Sequence, residues 1–229
     1  MGNLEYTLRL PHSDSLPATI ADRTRRVYDR LADVYPVSSL LFHARAHKCA
    51  LSHSGIADGM QVLEVATGSG EMFRRLVRAN RSGATYGLDL SPRMAARTQR
   101  RVRREFPEAS THCKAVDVRY MPFRDQSFDA VVCCYLLELL SREDIERTVK
   151  EFARVLRPSG VLTLILIGQN KRYFNHLYGV CTKVAPAFWG RQVSRSIPKL
   201  IESTGFAITT DCTVRQTFYP SRILAAAKF

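Results

Sequence analysis

Hydrophobic positions along the chain change their period several times. Between residues 21 and 55, Val27, Leu31 and Val34 recur at helical spacing; Pro36 interrupts the pattern, it resumes, and Gly55 ends it. From residue 61 onward, short runs of strand type alternate with amphipathic helical stretches. The strand-type runs are 61–66 (QVLEVA), 84–89 (ATYGLD), 111–116 (THCKAV), 128–134 (FDAVVCC) and 160–167 (GVLTLILI), with helical patterns near 70–80, 91–106 and 141–156 between them. Regular alternation of this kind predicts βαβ units, hence an α/β fold with a parallel sheet, helices on both faces and right-handed crossovers. An irregular aromatic stretch follows residue 168. A helix near 194–204, stopped by Gly205, and two more strand-like runs at 206–213 and 221–228 close the pattern. Residues 1–20 are polar, carry prolines at 11 and 17, and read as an arm.

The first strand runs straight into a glycine turn and a helix start: VLEVATGSGEMFRRL, Val62 to Leu76. Glycines 68 and 70 let a ligand approach the backbone, and the helix start offers unpaired N–H groups. A dinucleotide fingerprint would add a third glycine. Here Phe73 stands in that place, and Glu71 puts a carboxylate in the first helical turn, where it repels pyrophosphate. The ligand is therefore predicted not to be a dinucleotide. Asp89 closes the second strand, 19 positions after Gly70. Because Ser91 before Pro92 already supplies the helix cap, Asp89 is left to accept the two hydroxyls of a ribose. Asp117, placed at the end of the third strand and followed by Val118, could accept from an adenine amino group.

Taken together, Glu64 with the Gly-Ser-Gly turn, an acid at strand two and an acid at strand three before Met-Pro-Phe resemble the class I S-adenosylmethionine-dependent methyltransferases. FDAVVCCYLLELL is similar to that family's fourth-strand motif, and EFARVLRPSGVLTLI to its helix, Arg-x-Leu-x-Pro-x-Gly turn and fifth strand. YDRLADVY near the N-terminus and PSRILAAAKF at the end resemble the ubiquinone/menaquinone C-methyltransferase-like branch (methyltransferase type 11). The resemblance implies a Rossmann-like, seven-stranded, mostly parallel sheet with an antiparallel last strand and an N-terminal helical cap. It divides the chain into an arm and cap, 1–55, and a cofactor-binding domain, 56–229, with a substrate-side insert at 170–193, in one structural unit. It also implies S-adenosylmethionine as cofactor, with no metal. The segment of Glu64, Ala66, Thr67, Gly68 and Gly70 would hold the methionine part, Asp89 and Leu90 the ribose, Asp117 and Val118 the adenine; Cys134 would face the methionine end. Tyr28 and Tyr35 would close over the site, with Tyr173, Tyr178 and Trp189 on the acceptor side. Glu138 is the candidate catalytic base. Three positions depart from the pattern: Ala66 replaces a glycine, Pro36 replaces an Asp, and Glu138-Leu139 stands where the quinone enzymes carry Arg-Asn. The last points away from a quinone itself as acceptor.

Composition bears on the acceptor. The 229 residues carry a formal charge of +13 and a pI of about 9.8, which predicts attraction to polyanions. Arg93, Arg97, Arg100 and Arg104 share one helical face, with Met94, Val102 and Phe106 on the opposite stripe, and Arg74, Arg78 and Arg81 form a second row. The plain reading is a solvated face; an anionic membrane surface is the alternative. Nucleic acid is disfavoured because no reading module accompanies the charge. Aromatic residues interleaved with Lys171, Arg172, Lys183 and Arg191 favour an apolar or amphiphilic small molecule, such as a lipid-quinone-like phenol or a phospholipid amine. A soluble metabolite acceptor and an inactive cofactor-binding scaffold remain the rivals. The six cysteines lack CxxC spacing and read as reduced residues of a cytoplasmic protein, and the longest apolar run, 161–168, is too short to span a bilayer. His43 and His47 have the i, i+4 spacing of two metal ligands but no third partner, so they are expected to be exposed helix residues with no metal.

Overall fold

The computed structural model describes residues 35–168, 193–216 and 219–229, with side chains from His43 onward. Its elements in chain order are α1 (Tyr35–His53), β1 (Gln61–Val65), α2 (Glu71–Ala79), β2 (Ala84–Asp89), α3 (Pro92–Glu105), β3 (Ser110–Ala115) and β4 (Phe128–Cys134). After a 3₁₀ turn (Leu137–Leu139) come α4 (Arg142–Val155), β5 (Leu156–Ile167), α5 (Ile197–Ser203), β6 (Phe206–Val214) and β7 (Ser221–Lys228). The strands form one sheet in the order β3-β2-β1-β4-β5-β7-β6. β1 to β5 pair in parallel, and β7 runs antiparallel between β5 and β6. The predicted seven-stranded α/β architecture, with its antiparallel last strand, is therefore the one observed.

Local chemistry explains the boundaries. Pro36, expected to interrupt a helix, falls instead in the first turn of α1, where its missing N–H has no intrahelical partner to lose. Ser91 caps α3 by accepting from the Met94 N–H at 3.2 Å, with Pro92 at the first helical position. Ser141 caps α4 through the Asp144 N–H at 3.0 Å. α5 gives way at Gly205, whose φ of 92° suits glycine. β5 starts at Leu156, ahead of its predicted start at Gly160, because Leu156 pairs with Phe128 before a register shift.

Alternation along the central strands separates two cores. Leu63, Val65, Val131 and Cys133 face Phe152 and Val149 of α4 and Ile201 of α5. Val62, Ala130, Val132 and Ile165 face Ala46 and Ala50 of α1 and Met72 and Leu76 of α2. α1 packs against β5, β6 and β7, and this brings His43 and His47 beside the carboxyl ends of β1 and β4, where the candidate site opens.

Candidate functional site

The loop after β1 is held in left-handed backbone. Ala66 has φ 62°, Gly68 48° and Gly70 74°. Glycine adopts this region freely, whereas Ala66 carries strain on the order of 1 kcal/mol. Hydrogen bonds fix the path: Thr67 N–H donates to Leu88 O (3.0 Å) and Gly70 N–H to Thr67 O (2.8 Å). Gly68 N–H donates to Asp89 Oδ2 at 2.7 Å, and Ser91 N–H donates to Asp89 Oδ1 at 2.9 Å. One carboxylate at the end of β2 thus ties the glycine loop to the start of α3. Glu64, one residue before the end of β1, is 1% exposed, and its Oε2 has no hydrogen-bond partner among the described residues. Burial first, and then the charge of Asp89, raise its carboxyl well above the usual range. The negative charge expected to repel pyrophosphate at the start of α2 is compensated: Glu71 pairs with Arg74 (3.1 Å), Arg75 (3.3 Å) and Arg101 (3.0 Å). Burial opposes its ionisation, but those three cations outweigh it and hold the carboxyl below its ordinary value.

Beside this loop lies a small cleft that opens to solvent. The loop side is Glu64, Ala66, Thr67, Gly68 and Ser69; the far side is His43, His47, Met72, Cys134 and Tyr135. The two histidines were expected to be exposed. They are instead 9% and 4% exposed, because positions 43, 46, 47 and 50 form the stripe of α1 that packs inward. Burial lowers His43 to about 4; burial, His43 and Arg75 lower His47 to about 3, so both rings are neutral at pH 7. His43 Nε2 lies 2.8 Å from Tyr219 Oη, and its ring lies 4.4 Å from that of Tyr135. His47 Nδ1 is buried without a partner among the described residues. Tyr135 itself has φ 55°, a real outlier for an aromatic residue. Its hydroxyl is 2.6 Å from Ser221 Oγ and accepts from Gln216 Nε2 at 3.2 Å.

A sequence model of the methyltransferase domain matches residues 62–160, from β1 into the start of β5. The chain is 28% identical over 151 residues to the 2-phytyl-1,4-naphtoquinone methyltransferase of Trichormus variabilis, a match covering 64% of this chain and 65% of the relative. It is 30% identical over 158 residues to the demethylmenaquinone methyltransferase of Tropheryma whipplei, covering 67% and 63%. Residues 62–160 carry a methyltransferase domain of the class I S-adenosylmethionine-dependent type. Among solved structures, the N-methyltransferase NodS from Bradyrhizobium japonicum, in complex with S-adenosyl-L-homocysteine, superposes with a TM-score of 0.73 at 14% identity, covering 90% of this chain and 99% of that one. At such identity the likeness bears on the fold alone. In both curated relatives the match spans less than two thirds of their length.

Within this methyltransferase-family fold the remaining candidate residues are spread unevenly. Gly70 precedes α2, and a Cβ there would stand 2.7 Å from Thr98 Oγ1. Leu90 is half-buried beside Asp89. Asp117 lies two residues past β3 rather than on it, and both its oxygens accept from the Arg119 guanidinium, which also donates to Asp144 at 3.0 Å. Val118 is buried in the α4-side core. Glu138 is 1% exposed; its Oε1 accepts from the Ile167 N–H at 2.6 Å, its Oε2 has no partner among the described residues, and burial pushes its carboxyl up to about 7. It ties the ends of β4 and β5 together and does not line the cleft. Tyr28, Tyr173, Tyr178 and Trp189 lie outside the described residues, as does the side chain of Tyr35. Of the arginine rows, Arg74 and Arg78 reach Glu105 at 2.8 and 2.9 Å, and Arg78 and Arg81 lie 5.9 and 6.0 Å from the Phe106 ring centre, so the second row braces α2 against α3. Among the described residues no group of three or more His, Cys, Asp or Glu side chains could hold a metal, and no helix is long and apolar enough to cross a membrane.

Proposed function

We propose that this chain transfers a methyl group from S-adenosylmethionine to an apolar or amphiphilic small molecule held in the cleft under α1. The carrying observation is a loop with left-handed backbone at Ala66, Gly68 and Gly70, set between two acids at adjacent strand ends, Glu64 and Asp89, and tied to Asp89 by the Gly68 N–H. Three features fit the cofactor: an orphaned carboxyl oxygen on Glu64, left-handed backbone at Ala66, Gly68 and Gly70, and Asp89 held at the end of β2 by the Gly68 and Ser91 N–H groups. The cofactor would supply a methyl group already activated on a sulfonium sulfur. Glu64 and the loop would hold its methionine part, Asp89 its ribose, and the segment from Asp117 its adenine. What remains for the chain is to orient the acceptor and keep water away, work worth about 7–11 kcal/mol at best.

The far wall supports the reading of the acceptor. Two neutral imidazoles, the Tyr135 ring, Met72 and Cys134 offer flat and apolar surface and no fixed charge, which suits a ring-bearing or lipid-like molecule better than a phosphorylated one. The naphthoquinone and menaquinone substrates named for the relatives belong to that class. Glu138, whose carboxyl burial sets near neutrality, does not line this cleft, so an acceptor held here would not deliver a proton to it directly. The exposed Arg93, Arg100 and Arg104 of α3 would meet an anionic membrane surface from the cytoplasmic side, about 1 kcal/mol per residue near the headgroups.

Calorimetry with S-adenosylmethionine on wild type and Asp89→Ala tests the cofactor site: binding should fall at least tenfold in the variant, and equal heats would refute it. Transfer of labelled methyl to demethylated naphthoquinols, presented with and without anionic vesicles, tests the acceptor; turnover of water-soluble metabolites alone would replace this reading by the soluble one.

A further inference from the structure

Five of the cysteines lie among the described residues, and only two of those are brought together. Cys49, on α1, and Cys212, on the edge strand β6, are 163 positions apart in sequence, yet their sulfurs lie 3.8 Å apart, at van der Waals contact. Both are partly exposed. His53, one turn beyond Cys49, places Nδ1 2.8 Å from the Cys49 carbonyl oxygen and 3.7 Å from Cys49 Sγ. Cys133 and Cys134 offer no comparable pair, because neighbours along β4 point to opposite faces of the sheet. None of these features serves the cleft, and burial together with Cys49 and Asp211 raises the Cys212 thiol to about 11. That leaves Cys49 as the first of the two to react and Cys212 as the resolving thiol.

We infer that Cys49 and Cys212 form a dithiol modification site, which a low-molecular-weight disulfide oxidises to a bond clasping α1 to β6. In the first step the Cys49 thiolate attacks one sulfur of R–S–S–R; the small molecule's S–S bond breaks, and one RS⁻ leaves, taking up a proton as RSH. In the second, Cys212, deprotonated, attacks Cys49 Sγ; the mixed S–S bond breaks and a second RSH leaves. Two electrons pass from the protein to the small disulfide, and two protein thiols become one disulfide. Approach is easy because the sulfurs need close only from contact distance to bonding distance. The bond would close a loop of more than 160 residues, a class of cross-link with a large effect on the unfolded chain. It would also fasten the helix that carries His43 and His47 over the cleft.

The experiment uses the full chain, reduced, desalted and titrated with oxidised glutathione, followed by intact-mass measurement, non-reducing peptide mapping and thermal melting. The expected result is a loss of two hydrogens, a cross-linked peptide joining Cys49 to Cys212, full reversal by dithiothreitol, and a melting temperature raised by several degrees. In Cys212→Ala, which removes the resolving thiol, glutathione should stay attached at Cys49. Absence of the cross-link in wild type, a cross-link to Cys181 or any other cysteine, or a stable glutathione adduct in wild type would each overturn the inference. Wild type alone decides the pairing, so a poorly folding variant does not blunt the test.

Discussion

Two imidazoles kept neutral by burial should make the folded chain sensitive to acid. His43 and His47 have ordinary values of 6.5, lowered to about 4 and about 3 in the fold. The unfolded chain takes up both protons as the pH falls through 6.5, whereas the folded chain refuses them until the pH approaches 4. Stability from both groups is therefore present above pH 6.5 and lost as the pH falls through the folded values. Between pH 7 and pH 5 each ring removes about 2 kcal/mol, so about 4 kcal/mol together, a large part of a typical folding free energy. Glu64 and Glu138 shift the other way: their raised values make the fold gain stability as the pH falls over the same range. The informative quantity is accordingly the difference between wild type and His43→Gln/His47→Asn, which keeps polarity and loses both titrations. Urea unfolding followed by far-ultraviolet circular dichroism at pH 7 and pH 5 measures it. Wild type should lose about 4 kcal/mol relative to the double variant over that step. Parallel pH dependence in the two proteins, within about 1 kcal/mol, would show that the histidines are not buried neutral, and the assignment of α1 to the cleft wall would fall with it.

Three other substitutions probe separate parts of the structure. Glu138 titrates with a raised value of about 7, so its neutral form favours the fold below the ordinary 4.5, and that stability is lost as the pH rises through about 7. Glu138→Gln, whose amide oxygen still accepts from the Ile167 N–H, should therefore be more stable than wild type at pH 8 and lack a loss of about 1 kcal/mol between pH 6 and pH 8; coincident urea curves would contradict this. Gly70→Ala combines φ 74° with a Cβ 2.7 Å from Thr98 Oγ1, and should cost about 1–3 kcal/mol and weaken cofactor binding; an unchanged melting temperature would count against the loop geometry. Arg154 donates to Glu151, Asp125, Phe123 O and Met121 O, and so pins the segment that follows Asp117. Arg154→Ala should lower stability by about 2 kcal/mol in denaturant titration, with a loss under 0.5 kcal/mol arguing that the segment is held otherwise.

The sheet was legible in the sequence because each strand is marked locally: β4 and β5 are apolar runs of strand length, and Ser91-Pro92, Ser141 and Gly205 mark helix ends by their own chemistry. The loop side of the site was legible for the same reason, since glycines after a strand carry their meaning within a few residues. The far wall was not. His43 and His47 read as surface residues because imidazole is polar; their burial comes from α1 packing on β5 to β7, more than a hundred residues away. The spacing 43-46-47-50 was the available signal, obscured because two of its four members are small alanines. Tyr135 gave no signal at all: nothing in an aromatic residue's intrinsic preference suggests φ 55°, and it is the bonds of its hydroxyl to Ser221 and Gln216 that hold it there. Asp117 was placed on a strand that ends two residues earlier, since a polar, half-exposed edge strand has no sharp end in the hydrophobic pattern.

The two walls of the cleft differ in how they are built, and that difference has a consequence for specificity. The loop wall is a set of backbone conformations locked to Asp89 and Ser91 by bonds of 2.7 and 2.9 Å; changing it disturbs the β1–β2 edge of the sheet itself. The far wall is made of side chains on α1, α2 and the end of β4 with Tyr135, resting on a core of alanine, valine, isoleucine, methionine and leucine. Side chains on such a helix can be exchanged at volume-conserving cost, usually below about 1.5 kcal/mol, without moving the strand ends. A fold of this kind can keep one ligand fixed at its loop while the molecule opposite is chosen by what α1 presents. In this chain α1 presents two uncharged imidazoles, one engaged by Tyr219 and the other with a nitrogen that has no partner among the described residues. Selectivity for the acceptor should therefore respond to His47 before it responds to any residue of the glycine loop.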